Sequence, residues 1–136
     1  MAHNLSFQTK HNYDTTRSGI TVPVELAFGG NVVQVDAKLD TGASFSIFER
    51  AYAEILGSNL EDGERSEVST ANSRFAVFGH WLTVTTLEFR FDAIVYFATD
   101  ETIRRSVLGR RGFIDRLRIG LVEHNGELYV SMFDDE

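Results

Sequence analysis

Residues 39–44, Leu39-Asp40-Thr41-Gly42-Ala43-Ser44, place a carboxylate beside a hydroxyl and a glycine at the end of a strand-like apolar run. Such a carboxylate can take a proton from water or, when protonated, give one to a reacting oxygen or nitrogen. The other chemistry-bearing residues offer less. His3, His11, His80 and His124 are scattered without ligand spacing, and the chain has no Cys, so disulfides and thiolate sites are excluded and no metal site is expected. Ser44 and Ser46 lack the strand-to-helix elbow of a nucleophilic serine. Gly29-Gly30 is a lone turn, not a phosphate cradle. No cofactor is implied.

The elements that must position Asp40 follow from pattern. Eleven Gly, one Pro, eleven Phe and 43% hydrophobic content favour short strands joined by turns around one core. Residues 1–17 read as a flexible N-terminal arm able to lend one short strand, and residues 18–136 as a single domain. Residues 20–26 form a strand that Pro23 confines to an edge or a strand start. Gly29-Gly30-Asn31 turns the chain into a second strand, 32–39, which ends at Asp40. A short strand over 45–48 precedes a helix over 49–56, with Ala51, Tyr52, Ile55 and Leu56 on one stripe and Gly57 closing it. Residues 58–66 are an acidic surface loop. A hairpin follows, 68–71 and 74–78 around Asn72-Ser73, with a bulge or kink at Gly79. Trp81 reads as an anchor in the core or at the hairpin base. Strands over 80–87 and 89–98 meet near Glu88 without a Gly or Pro to place their turn. Val107-Leu108-Gly109 is a short apolar strand, residues 110–117 are a short helix with Phe113, Ile114 and Leu117 inward, and a final hairpin turns at Asn125-Gly126.

Net charge is −7 with a pI near 5.0, which opposes general binding to nucleic acid. Arg104, Arg105, Arg110, Arg111, Arg116 and Arg118 are interleaved with Asp100, Glu101 and Asp115 and read as a solvated, salt-bridged face. No apolar leader or membrane-spanning run is evident, so a soluble, cytoplasmic protein with no membrane partner is the expectation.

The order of apolar strand, Asp-Thr-Gly-Ala-Ser, short helix, long hairpin, buried strand and Val107-Leu108-Gly109-Arg110 resembles the retropepsin family, the single-domain aspartic proteases typified by retroviral proteases. The resemblance covers residues 19–132. It implies a mostly β fold, a retropepsin-like acid-protease β-barrel with a flap hairpin and two short helices, homodimeric. Asp40, Thr41 and Gly42 would form the catalytic loop, and the second Asp40 would come from another copy of the chain. Two carboxylates about 3 Å apart share one proton, which gives a base for water and an acid for the peptide. By the same resemblance, Val107, Leu108 and Gly109 pack around the loop, Val107 lines a substrate pocket, and Asn72, Ser73 and Arg74 close over an extended peptide or protein substrate.

Two departures from the retroviral pattern stand out. Ser44 replaces the acidic residue that pairs with the Arg of the Gly-Arg motif, so Arg110 needs another partner, Asp115 or a group across the dimer. The hairpin tip also lacks glycines. Ala43 offers no hydroxyl to the carboxylates, which favours activity from mildly acid toward neutral pH, whereas two Lys38 side chains near the dyad would push the other way. Strand alternation places Lys38 on the face of Asp40, where it would favour an acidic substrate residue or else reach solvent at the rim. The competing reading of the whole chain is a catalytically silent dimer that uses the same fold as a peptide-binding or scaffolding module.

Overall fold

Alternation decides which strand faces are buried. In β2 (Ile20–Phe28), Val22, Val24 and Leu26 are almost wholly buried while Pro23 between them is exposed, the period of two that a sheet with one buried face requires. The computed structural model describes residues 1–135. After β1 (Thr9–Asn12) and β2 come β3 (Asn31–Leu39), β4 (Ile47–Phe48), α1 (Arg50–Ile55), β5 (Glu64–Ser69), β6 (Arg74–Thr86), β7 (Phe89–Ala98), β8 (Val107–Leu108), β9 (Leu117–Val122) and β10 (Glu127–Met132).

Seven strands form one sheet in the order β2-β3-β8-β4-β7-β6-β5, and β2 also pairs with β6 over Glu25–Ala27. Pro23 lies beyond that second pairing, where no ladder needs its missing N–H, and the Thr86 hydroxyl donates to its carbonyl at 2.8 Å. The N-terminal segment does lend a strand: β1, β10 and β9 form a separate three-stranded antiparallel sheet. Among the described residues no helix is long and apolar enough to cross a membrane.

Two hairpin turns have the same backbone geometry with opposite sequence signals. Gly29 and Gly30 have φ of 55° and 87°, the left-handed pair that joins β2 to β3. Leu87 and Glu88 adopt φ of 47° and 76° between β6 and β7 without a glycine. Side-chain contacts hold the second turn. Leu87 packs against the main core, and the Thr9 hydroxyl donates to the Glu88 carboxylate at 2.8 Å.

Several expectations are corrected. β6 runs unbroken through Gly79, which pairs with Glu64 on one side and Tyr96 on the other, so there is no bulge or kink. Gly79 serves packing instead, because a Cβ there would lie 2.8 Å from Tyr96 Cε1 and 2.9 Å from Ile94 Cγ2. β5 begins at Glu64, inside the expected acidic loop. The strand expected over 45–48 is confined to Ile47–Phe48, with Phe45 making a single bridge to Arg111. In α1 it is Ala53, with Leu56 just beyond, that is buried, while Ile55 is exposed. Trp81 is 62% exposed on the sheet's outer face and anchors no core.

The second helix, expected over 110–117, does not form. Gly112 takes φ of 90°, its N–H donates to the Asp115 carboxylate at 3.0 Å, and only a 3-10 turn, Ile114–Arg116, precedes β9. The bridge from Arg111 to Phe45 commits backbone that a helix would have used. Phe113 and Leu117 nevertheless point inward, as their apolar character required.

Candidate active site

Asp40 is positioned by backbone on both sides. β8 lies between β3 and β4, parallel to β3 with Lys38 opposite Val107 and Leu39 opposite Leu108, and antiparallel to β4 with Ile47 opposite Val107. The Asp40 N–H continues this ladder, donating to the Leu108 carbonyl at 2.9 Å. The chain then reverses: Ala43 N–H donates to the Asp40 carbonyl at 3.1 Å, and Gly42 N–H to Asp40 Oδ1 at 2.9 Å. One carboxylate oxygen is thereby fixed in direction while the side chain stays 35% exposed. Thr41 and Gly42 are exposed at the turn, and a Cβ on Gly42 would lie 3.1 Å from Asp40 Oδ1.

The loop's exit is tied to the residues after β8. Arg110 and Arg111 N–H groups donate to the Ala43 and Ser44 carbonyls, each at 2.9 Å. Gly109 passes so close that a Cβ would stand 2.4 Å from the Phe45 carbonyl oxygen. Its N–H donates to Ser46 Oγ at 3.1 Å, and Ser46 is 1% exposed. Ser46 is therefore a buried tie between the loop and β8, a role its sequence context did not reveal. Leu108 is buried in the main core and serves the loop through its carbonyl.

Beneath the loop sits a small apolar cluster of Ile47, Phe75, Val77, Ala98 and Val107, with Ala43, Phe45, Val68, Tyr96 and Ile103 against it. Val68 and Phe75 face each other near the end of the β5–β6 hairpin. The end of that hairpin next to its tip and the Asp40 loop therefore share one packing unit. The hairpin tip centres on Ala71-Asn72, one residue earlier than expected, and is closed by the Thr70 N–H donating to the Ser73 carbonyl at 2.8 Å. Asn72, Ser73 and Arg74 are exposed, and Arg74 pairs with Glu67 at 3.1 Å.

A cleft of about 540 Å³ opens on Asp40, walled by Lys38 and Leu39 of β3, Tyr52 of α1, and Arg104, Arg105, Ser106 and Val107, with Gly19, Asp36 and Glu49 at its margins. Asn72, Ser73 and Arg74 do not line it. Arg105, read from sequence as part of a solvated, salt-bridged face, is half-exposed and ion-paired, and its partner is Asp40, with Nη2 3.9 Å from Asp40 Oδ2. Its segment is shaped by Asp100, whose carboxylate accepts the Thr102 hydroxyl at 2.7 Å and the Thr102 N–H at 2.8 Å, bonds that hold Asp100 below the usual carboxylate range. Arg50 steadies the same segment by donating to the Thr99 carbonyl at 2.8 Å.

Ser44 and Arg110 lie elsewhere, lining a separate hollow of about 350 Å³ with Arg111, Ile114 and Asp115. Of the two partners considered for Arg110, Asp115 does not form the ion pair. Asp115 accepts Gly112 N–H and lies 3.7 Å from Arg116 Nε, and none of the ion pairs among the described residues includes Arg110. No group of three or more His, Asp or Glu side chains among the described residues could hold a metal ion.

Residues 22–111, from β2 to just beyond Gly109, match the family model described as aspartyl protease. The chain belongs to the aspartyl protease family. The matched segment of this aspartyl protease contains the Asp40 loop, α1, the β5–β6 hairpin and β8, and it leaves the β1-β10-β9 sheet outside. Its fold is shared with a retropepsin-like aspartic protease from Rickettsia conorii at TM-score 0.60 and 18% identity, covering 82% of this chain and 89% of that one. EIAV protease complexed with the inhibitor HBY-793 is similar at TM-score 0.54 and 20% identity, over 68% of this chain and 83% of that one. At these identities the likeness concerns the fold, which is retropepsin-like and mostly β. No curated protein matches the sequence.

Proposed function

We propose that the protein is an aspartic endopeptidase working as a homodimer, with one Asp40 from each copy. The observation that carries this is the Asp40 loop itself: a half-buried carboxylate, oriented by Gly42 N–H, at the foot of an open cleft in a chain that has a single such loop. Two Asp40 carboxylates brought to about 3 Å share one proton. The ionised one takes a proton from a water lying between them while the water oxygen attacks the peptide carbonyl carbon. The protonated one gives its proton to the carbonyl oxygen. Collapse of the resulting gem-diol breaks the C–N bond as the nitrogen receives a proton, releasing an amine and a carboxylic acid.

Thr41 and Gly42, exposed at the turn, face the position of the second loop in this arrangement. The β2–β6 pairing closes the sheet into the proposed barrel. The β5–β6 hairpin serves as flap, with the substrate held as an extended strand. Its tip, closed by Thr70 and Ser73 rather than glycines, moves as one unit beyond the Val68–Phe75 pair.

The test incubates the full chain and Asp40→Asn with a diverse peptide pool from about pH 4 to 8, with and without a general aspartic-protease inhibitor. Cleavage by the parent that disappears in both controls is the expected result. Bound but uncut peptides at every pH would favour the silent binding module. Sedimentation across concentrations tests the dimer, and a strict monomer in the active range would overturn the shared-dyad mechanism.

A further inference from the structure

We propose that Arg105, with Lys38 beside it, forms a subsite for an acidic side chain next to the scissile bond, which makes acidic peptides the substrate class. The proposal rests on the dimeric peptidase reading. Arg105 Nη2 stands 3.9 Å from Asp40 Oδ2, and its side chain is 50% exposed to the cleft that Asp40 faces. In the isolated chain each guanidinium has one carboxylate. In the dimer two Arg105 guanidinium groups meet a dyad that carries a single negative charge, because its two carboxylates share a proton. One Arg105 is left without a counter-ion.

The other charged groups of the cleft do not supply one. Glu49 is engaged by Arg104 at 3.8 Å. Asp36 lies on the exposed face of β3 two residues from Lys38, and at most it offsets that lysine. Lys38 takes part in none of the ion pairs among the described residues; its stem runs along Gly19, where a Cβ would lie 3.0 Å from Lys38 Cδ. A carboxylate from the substrate would satisfy the surplus guanidinium, and the charge-assisted bonds it gains are stronger than those an amide could offer.

The experiment uses matched peptides that differ only by Glu or Gln at each of the two positions on either side of the cleaved bond, read as kcat/KM. At one position the Glu peptide is expected to be cleaved about 10-fold better, with the preference shrinking at high salt. Arg105→Gln should bring the ratio within about 2-fold, Arg105→Lys should retain most of it, and Arg105→Glu should invert it toward a Lys peptide. Equal cleavage of Glu and Gln peptides by the parent at every position, or a preference that survives Arg105→Gln, would overturn the proposal. Fluorescence anisotropy with Asp40→Asn, alone and combined with Arg105→Gln, reads the preference as binding; with the dyad uncharged both Arg105 groups lack a counter-ion, so the Glu preference should exceed the parent's and disappear with Arg105→Gln. If nothing is cleaved the peptidase reading fails, while the binding ratio still decides the subsite.

Discussion

Replacing Ser46 by Ala isolates the buried tie beneath the Asp40 loop. Ser46 Oγ accepts the Gly109 N–H at 3.1 Å, and the residue is 1% exposed, so no water can take over when the oxygen is removed. A buried amide left without a partner costs about 1–3 kcal/mol, and the void left by one hydroxyl adds little. Near the middle of that range, about 2 kcal/mol, the urea midpoint falls by about 1 M, taking m as about 2 kcal/mol per molar for a domain of this size. The slope should not change, since the same surface is exposed on unfolding. Ser44→Ala, two residues away on an exposed part of the loop, is the control and should stay within about 0.5 kcal/mol. Both variants are unfolded at one fixed protein concentration, because association would otherwise shift the midpoint by mass action. The reasoning is refuted if Ser46→Ala matches the parent, or if Ser44→Ala is equally destabilised. Because Gly109 follows the strand that holds Asp40 N–H, cleavage should also fall in Ser46→Ala at temperatures where it remains folded.

Gly109→Ala puts a methyl against the Phe45 carbonyl, 2.4 Å away, where only backbone movement can relieve it; the cost should exceed the 1–3 kcal/mol typical of overpacking, about 3 kcal/mol or more, with loss of cleavage. Glu88→Gly relieves a left-handed position worth about 1 kcal/mol but loses the exposed Thr9 hydrogen bond, so a net gain of about 0.5 kcal/mol should raise the urea midpoint. Tyr13 donates to Glu123 Oε1 at 2.6 Å, which with the neighbouring charge pushes its ionisation up to about 12. Since the folded value is raised, this contribution is complete below the ordinary tyrosine value near 10 and disappears as pH climbs from there through about 12; ultraviolet titration of Tyr13→Phe should lack one late-ionising tyrosine.

What could be read from residues alone is what short-range chemistry governs. The alternation of Val22, Val24 and Leu26, the positive-φ glycines at Gly29-Gly30 and Gly126, and the αL position of Gly57 after α1 follow from local sterics, so strands, turns and the helix were legible to within a few residues. The Asp40-Thr41-Gly42 turn was equally legible, because its hydrogen bonds lie within four residues. Tertiary structure decided the rest. The turn at Leu87-Glu88 carries no glycine signal and is held by Thr9, which is distant in sequence. Residues 110–117 have a helical pattern, but the Phe45–Arg111 bridge and the left-handed Gly112 draw the backbone away from it. Gly79 looked like a kink and proved to be space for Tyr96 and Ile94. Arg105 looked like one arginine of a solvated, salt-bridged face with no sign of which acid it would meet, and Ser46 looked like one loop serine among others. Each acquired its role only when β8 paired in parallel with β3 and brought chain segments far apart in sequence to the two sides of Asp40, a placement that no local propensity encodes.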